Sequence, residues 1–260
     1  MERPADGEQS AACQRRLTPI LRWLFILTVG AKTSTSFAMT DKIALITGAS
    51  RGLGAALAET LSAKYHVIAV ARTIGALEEL DDRIIARGGQ ATLAPMDITK
   101  PDAMAQLCRS IYDRWGKIDL WAHPAIHAAP LSPASTIDGK DFAKSMAINV
   151  TATATLIPFI SPLLGDCGTA VFFQDPQAQG KFFGAYAATK AAQITLAQCW
   201  ATESAKSGPT IKIMTPNPMP TATRARFYPG ETRDSLTDPR LEAKRLMVEL
   251  LEIGTAKKFV

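Results

Sequence analysis

Cysteine is scarce in this 260-residue chain: Cys13, Cys108, Cys167 and Cys199 are the four present, and their separations match neither a metal site nor a redox pair. Scattered, reduced thiols of this kind fit a cytoplasmic protein. Histidine is scarcer still, with three in all. His123 and His127 stand four apart, but no third ligand of clear spacing joins them, so they read as ordinary loop residues and no metal is expected. No apolar run reaches the ~18 residues needed to span a bilayer, which argues against stable membrane insertion. The net charge of +5 is not gathered into one block either. Dispersed basic residues, with Arg15, Arg16, Arg22, Lys257 and Lys258 near the ends, suit an anionic small ligand rather than nucleic acid. Internal repeats and low-complexity domains are also lacking.

Apolar residues are plentiful. At 47% hydrophobic, the chain has enough for one large α/β domain with a sizeable core. Residues 1–38 do not share the pattern of the rest of the chain. Arg15-Arg16 precede an apolar run from Leu17 to Ala31, broken by Pro19 and Arg22, and then a Ser/Thr-rich piece ending near Ala38. An export signal is one reading; the other, favoured because Arg22 interrupts the run, is an extension ahead of a true start at Met39. The folded domain is therefore expected over 39–260. From Asp41 onward strands and helices alternate. Strands are expected at Ile43–Ile46, His66–Val70, Ala91–Ala94, Leu120–Ala122, Ala170–Phe173 and Ile211–Met214, with a clipped seventh at Lys257–Val260. Between them run helices, among them a mostly helical Asp141–Leu164, an alanine-rich Gly184–Ser204 and a late Leu241–Leu251. Alternation of this kind predicts a single-domain α/β Rossmann fold, a doubly wound parallel sheet of about seven strands with helices on both faces.

The chemistry starts at Thr47-Gly48-Ala49-Ser50-Arg51-Gly52-Leu53-Gly54, between the first strand and first helix. A strand entering a helix through such a turn aims several backbone N–H groups and the positive end of the helix dipole at one spot, which suits a phosphate. Gly48 can take a conformation closed to residues with a Cβ, Gly52 lets the backbone approach a pyrophosphate, and Gly54 lets helix and strand pack closely. After the second strand, Ala71 offers no carboxylate for a ribose while Arg72 offers a guanidinium for a 2′-phosphate, and Arg51 can reach the same group. NADP(H) is thus favoured over NAD(H). Further on, Tyr186 and Lys190 lie four apart on one helical face. A neighbouring Lys⁺ would lower the pKa of the phenol and fit it for proton exchange with a substrate oxygen.

Read together and in this order, these motifs resemble the short-chain dehydrogenase/reductase family, over about Asp41 to Leu251. The resemblance implies an NADP(H)-dependent oxidoreductase that interconverts a small-molecule carbonyl and an alcohol by hydride transfer. It makes Tyr186 the acid/base and Lys190 its partner and nicotinamide-ribose ligand. Asn149 becomes the holder of a relay water, Asp97 and Ile98 the adenine-contacting pair, and Pro218 and Thr223 the segment beside the nicotinamide. It also implies a homodimer or homotetramer, paired through the helices of Asn149 and Tyr186, with Ala185, Ala188 and Ala192 as a small packing face. The chain departs from the family in three places. The fifth strand runs into Gln174-Asp175-Pro176 with no catalytic serine, so Gln174 or Asp175 must stand in for it. His123-Pro124-Ala125-Ile126 replaces Asn-Asn-Ala-Gly, with Ala125 retained. Met219 replaces a glycine; with Ile126 it is expected to crowd the nicotinamide end. These departures support an alternative, a catalytically weak NADP(H)-binding sensor or partner-binding protein. The later Arg224, Arg226, Phe227 and Tyr228 suggest a cap that grips an anionic, partly apolar substrate.

Overall fold

Four of the six strands are short, buried apolar runs because helices cover them from both sides. The computed structural model describes residues 42–256, those from 251 by backbone alone; the expected extension 1–38 and the seventh strand lie outside the described residues. In chain order the elements are β1 (Ile43–Thr47), α1 (Gly52–Leu61), β2 (His66–Ala71), α2 (Ile74–Ile85), β3 (Gln90–Pro95), α3 (Pro101–Trp115) and β4 (Leu120–His123). There follow α4 (Gly139–Ser145), a π-helical turn (Met146–Thr151), α5 (Ala152–Leu164), β5 (Thr169–Phe173), α6 (Gly184–Glu203), β6 (Thr210–Met214), α7 (Ala222–Phe227) and α8 (Pro239–Ala256). Among the described residues the sheet has six strands, all parallel, in the order β3-β2-β1-β4-β5-β6. The order reverses between β1 and β4. That leaves a crevice outside the carboxyl ends of the strands, where open α/β sheets bind ligands.

Side chains alternate across the sheet with period two. Ile43, Leu45, Ile68, Val70, Trp121 and Phe172 face α3, α5 and α6. Ala44, Ile46, Val67, Ala69, Ala122 and Val171 face α1, α2 and α8. The first core is the more aromatic: Phe172 meets Trp121 edge-on at 5.3 Å and Trp200 at 6.3 Å between ring centroids. Helix limits follow the local chemistry. Pro101 opens α3, and Gly116, at φ 74°, closes it in the left-handed conformation. Asp138 caps α4 by accepting from the N–H groups of Lys140 and Asp141. Thr73 stands at the start of α2, yet its hydroxyl makes no capping bond.

Two features differ from expectation. The helical stretch Gly139–Leu164 is, by length and composition, long and apolar enough to cross a membrane. Threonines and Asn149 interrupt its apolar run in the sequence. Ile148, Ala152, Leu156, Ile160 and Leu163 bury one face of it against the sheet core. The second feature is α7, a short helix in the cap segment, for which no helix was expected.

Truncating Phe172 removes a fully buried ring at the centre of the aromatic core. Phe172→Ala is expected to lower the unfolding free energy by about 3–5 kcal/mol, read from urea denaturation; a loss under about 1 kcal/mol would contradict this packing.

Candidate active site

Every strand delivers its next residues to the same cleft. Gly48 follows β1, Arg72 follows β2, Asp97 follows β3, Pro124 follows β4, Gln174 follows β5 and Thr215 follows β6, and all of them line a cleft of about 810 Å³. Gly48 closes the back of it. Its φ is +87°, its N–H donates to the Val70 carbonyl at 2.8 Å, and a Cβ there would stand 2.7 Å from the Ala125 Cα. Gly54 is equally constrained, since a Cβ on it would lie 2.1 Å from the Gly48 carbonyl oxygen. No side chain caps the start of α1. Ser50, Arg51, Gly52 and Leu53 line the cleft around that helix end. Ile126 and Met219 form part of the wall without filling the space.

At the adenosine end, Arg51 and Arg72 are exposed and both line the cleft, as do Asp97 and Ile98. Asp97 Oδ1 accepts from the Thr99 N–H at 2.9 Å and from its hydroxyl at 2.8 Å. Partial burial acts to raise its pKa, but the Thr99 bonds, with Arg72 and Lys100 nearby, outweigh that and hold it below the usual value. Sequence reasoning missed Glu59 here. Its buried carboxylate meets Arg83 Nε at 2.6 Å and, as ion pairs without hydrogen-bond alignment, Arg87 at 3.1 Å and Arg240 at 3.2 Å. This ties α1 to α2 and α8. The one sequence signal was an acidic residue within a mostly apolar helix.

At the other end the structure corrects several expected roles. Gln174 and Asp175 both line the cleft: the Gln174 amide Nε2 donates to Thr215 Oγ1 at 2.6 Å, and Asp175 Oδ2 accepts from the Tyr186 hydroxyl at 3.3 Å. Tyr186 is buried, and its pKa is raised, first by burial and then by the charge and hydrogen bond of Asp175. Lys190, expected to lower it, does not contribute to that shift. Lys190 is buried too, and its ammonium donates to Gln193 Oε1, one turn on, at 2.8 Å. Burial pushes its pKa down to about 8, against a smaller opposing effect of Asp175. Gln193, three residues after Lys190, was legible from helical spacing but not singled out.

Asn149 lies outside the cleft lining and is fully buried. Its Oδ1 accepts from the His127 N–H at 2.7 Å, and its Nδ2 donates to the His127 carbonyl and to Thr189 Oγ1, each at 3.0 Å. Both amide donors are thus engaged in fixing the loop after β4 against α6. Its side chain thereby positions that loop. His123 is no loop residue. It ends β4 with no exposure, between Thr47 Oγ1 at 2.6 Å and Thr153 Oγ1 at 3.0 Å. Burial, with the charge of Lys190, pushes its pKa down to about 3, so it is neutral at physiological pH. Among the described residues no cluster of His, Cys, Asp and Glu could hold a metal ion.

Pro218 and Thr223 line the cleft where α7 begins. The arginines of the cap are not free to grip a substrate. Arg224 makes a two-point contact with Glu231, both bonds 2.6 Å, donates to Gln177 at 2.7 Å and lies 3.9 Å over the Tyr228 ring. Arg226 donates to the Ala128 carbonyl at 2.6 Å. Phe227 packs on Phe183 and on Tyr186, with centroids 4.9 and 4.8 Å apart. The arginines hold the cap down, and the aromatics form an apolar wall behind the Tyr186 ring.

The profile of the family described as short chain dehydrogenase matches residues 42–232, well over half the chain. The chain belongs to the short chain dehydrogenase family. A short chain dehydrogenase from Shigella flexneri 2a, solved in complex with NADP, superposes with a TM-score of 0.72 at 28% identity, over 78% of this chain and 87% of that one. A fatty acyl-CoA reductase of Acinetobacter baylyi is 31% identical over 64% of this chain and 58% of its own length. An uncharacterized oxidoreductase of Mycobacterium tuberculosis is 32% identical over 60% of this chain and 61% of its own length. The match therefore spans about three fifths of these two relatives.

The buried ammonium gives a pH signature. Lys190 has a folded pKa of about 8 against an ordinary 10.5, so between the two the unfolded chain binds more protons. Its destabilising effect is full below pH 8 and is relieved as pH rises toward 10.5. The stability difference between wild type and Lys190→Met should accordingly shift in favour of wild type from pH 7 to pH 10, measured by urea unfolding. A difference that does not change with pH would contradict this.

Proposed function

We propose that this protein is an NADP(H)-dependent oxidoreductase that interconverts a carbonyl and an alcohol by hydride transfer, with Tyr186 exchanging the proton. The observation that carries the reading is convergence. The glycine turn, two arginines and a buried tyrosine, distant in sequence, line one cleft at the carboxyl ends of the strands. The donor set fits the cofactor. The uncapped start of α1, with Gly48, Ser50, Gly52, Leu53 and Gly54, suits the pyrophosphate, and Arg51 and Arg72 suit the 2′-phosphate. Asp97 and Ile98 would hold the adenine, Lys190 the ribose, and Ala125, Pro218 and Thr223 the nicotinamide side. Bound there, the cofactor supplies or accepts the hydride. The NADP complex of the Shigella relative supports the same choice.

Burial and Asp175 keep the Tyr186 phenol protonated, the form in which it carries a proton for a substrate oxygen. The second reading, a catalytically weak NADP(H)-binding sensor, is supported by the lost serine and by the engagement of Gln174 with Thr215. We place the protein in the cytoplasm as a homodimer or homotetramer paired through α6. Ala188 and Ala192 are open for that contact, whereas Ala185 is buried within its own subunit.

Fluorescence titration should show tighter binding of NADPH than of NADH, and Arg72→Ala should weaken NADPH by roughly tenfold or more while leaving NADH little changed. Tyr186→Phe should retain NADPH binding and lose carbonyl-dependent NADPH oxidation. Equal binding of both cofactors, or full activity in Tyr186→Phe, would contradict the proposal; binding without turnover on a broad carbonyl panel would favour the second reading.

A further inference from the structure

The reacting end of the cleft carries a carboxylate where a ketone reductase needs a hydrogen-bond donor. Asp175 reaches the Tyr186 hydroxyl at 3.3 Å, and both side chains line the cleft. The neighbouring donors make their hydrogen bonds elsewhere, Gln174 on Thr215, Lys190 on Gln193, Arg224 on Glu231 and Gln177, while the charges of Lys190 and Arg224 act on Asp175 without bonding it. A ketone oxygen gains negative charge as hydride arrives, so Asp175 opposes that step. A protonated imine has the opposite demand. It enters with a positive charge and an N–H donor, which a carboxylate accepts as a charge-assisted hydrogen bond. Tyr186 and Ile126, packed in one apolar cluster, provide a wall for the carbon skeleton.

We propose that the same cleft reduces the protonated C=N bond of imines, in preference to the C=O bond of ketones of matching shape. The inference rests on the reading that NADPH binds in this cleft. In the step, the iminium carbon gains a C–H bond as hydride with its electron pair, and the C=N π pair passes to nitrogen. The nitrogen keeps its proton and becomes a neutral amine, while the dihydronicotinamide is oxidised to NADP⁺. Asp175 accepts the N–H bond throughout, and no other oxidant or reductant is required.

The test pairs 3,4-dihydroisoquinoline with 1-tetralone as substrates, and tetrahydroisoquinoline with 1-tetralol as products, in full-length wild type, Asp175→Asn and Asp175→Ser. NADPH affinity is measured first, so that failure of the cofactor reading is seen separately; absence of NADPH binding would overturn both. Calorimetric titration in the presence of NADP⁺ then ranks amine against alcohol whether or not turnover occurs. Wild type is expected to bind the amine roughly tenfold or more tightly than the alcohol, and to turn over the imine faster than the ketone. Asp175→Asn should erase the margin and Asp175→Ser should reverse it, with thermal unfolding confirming that each variant is folded. Ketone preference in wild type, or an amine margin that is below twofold or survives both substitutions, would overturn the proposal while leaving NADPH binding intact.

Discussion

A chain of buried hydrogen bonds beneath the cleft holds its two ends in register. Lys190 donates to Gln193, Gln193 donates to Thr153, and Thr153 meets His123, which in turn meets Thr47, the residue before the glycine turn. Thr153 also donates to the Asn149 carbonyl at 2.9 Å, leaving its lone pairs for Gln193 and for the Nε2–H of His123. That assigns the proton to Nε2 and leaves Nδ1 to accept from Thr47. Trp121 Nε1 adds a bond to Thr47 at 3.3 Å. The side chains in this chain belong to α6, α5, β4 and β1, the elements that meet at the switch point of the sheet. Polar groups this deep are costly unless each is satisfied, so a break in the chain would leave several orphans at once. The end of β1, and with it the phosphate-facing turn, is thereby placed relative to the catalytic helix.

The same network decides the electrostatics above it. The Lys190 ammonium is held by Gln193, and the charge that acts on the Tyr186 phenol is that of Asp175. A protonated phenol beside a carboxylate suits proton donation and cationic groups better than it suits removal of a proton from an alcohol. In the cap Phe227 and Phe183 pack behind Tyr186, and Arg224, hydrogen-bonded to Glu231, also feels the charge of Asp175.

Much of the architecture was legible in the sequence because parallel strands buried on both faces are written as short apolar runs separated by glycine and proline. The places of the glycine turn, Arg72 and Asp97 in the fold were legible for a similar reason, since each sits just past a strand. What was hidden depends on partners far away in sequence. The spacing of Tyr186 and Lys190 suggested a direct pairing, but Gln193 competes for the ammonium from the same helix. His123 looked like a loop residue until Trp121, Phe172 and two threonines enclosed it. The π-helical turn at Asn149 depends on His127 and on Thr189, forty residues on. Arg224 and Arg226 looked available for an anion because their acceptors, Glu231, Gln177 and the Ala128 carbonyl, carry no spacing signal.

The proposed chemistry depends on a tyrosine that stays protonated because a carboxylate and burial hold it so. Its most direct test is a pH titration of ¹³C-labelled tyrosine by NMR, with the Tyr186 signal assigned through Tyr186→Phe. The Tyr186 resonance should show no ionisation through the ordinary tyrosine value of 10 in wild type, and its titration should move downward in Asp175→Asn. Ionisation of Tyr186 at or below 10 in the wild-type protein would contradict that chemistry.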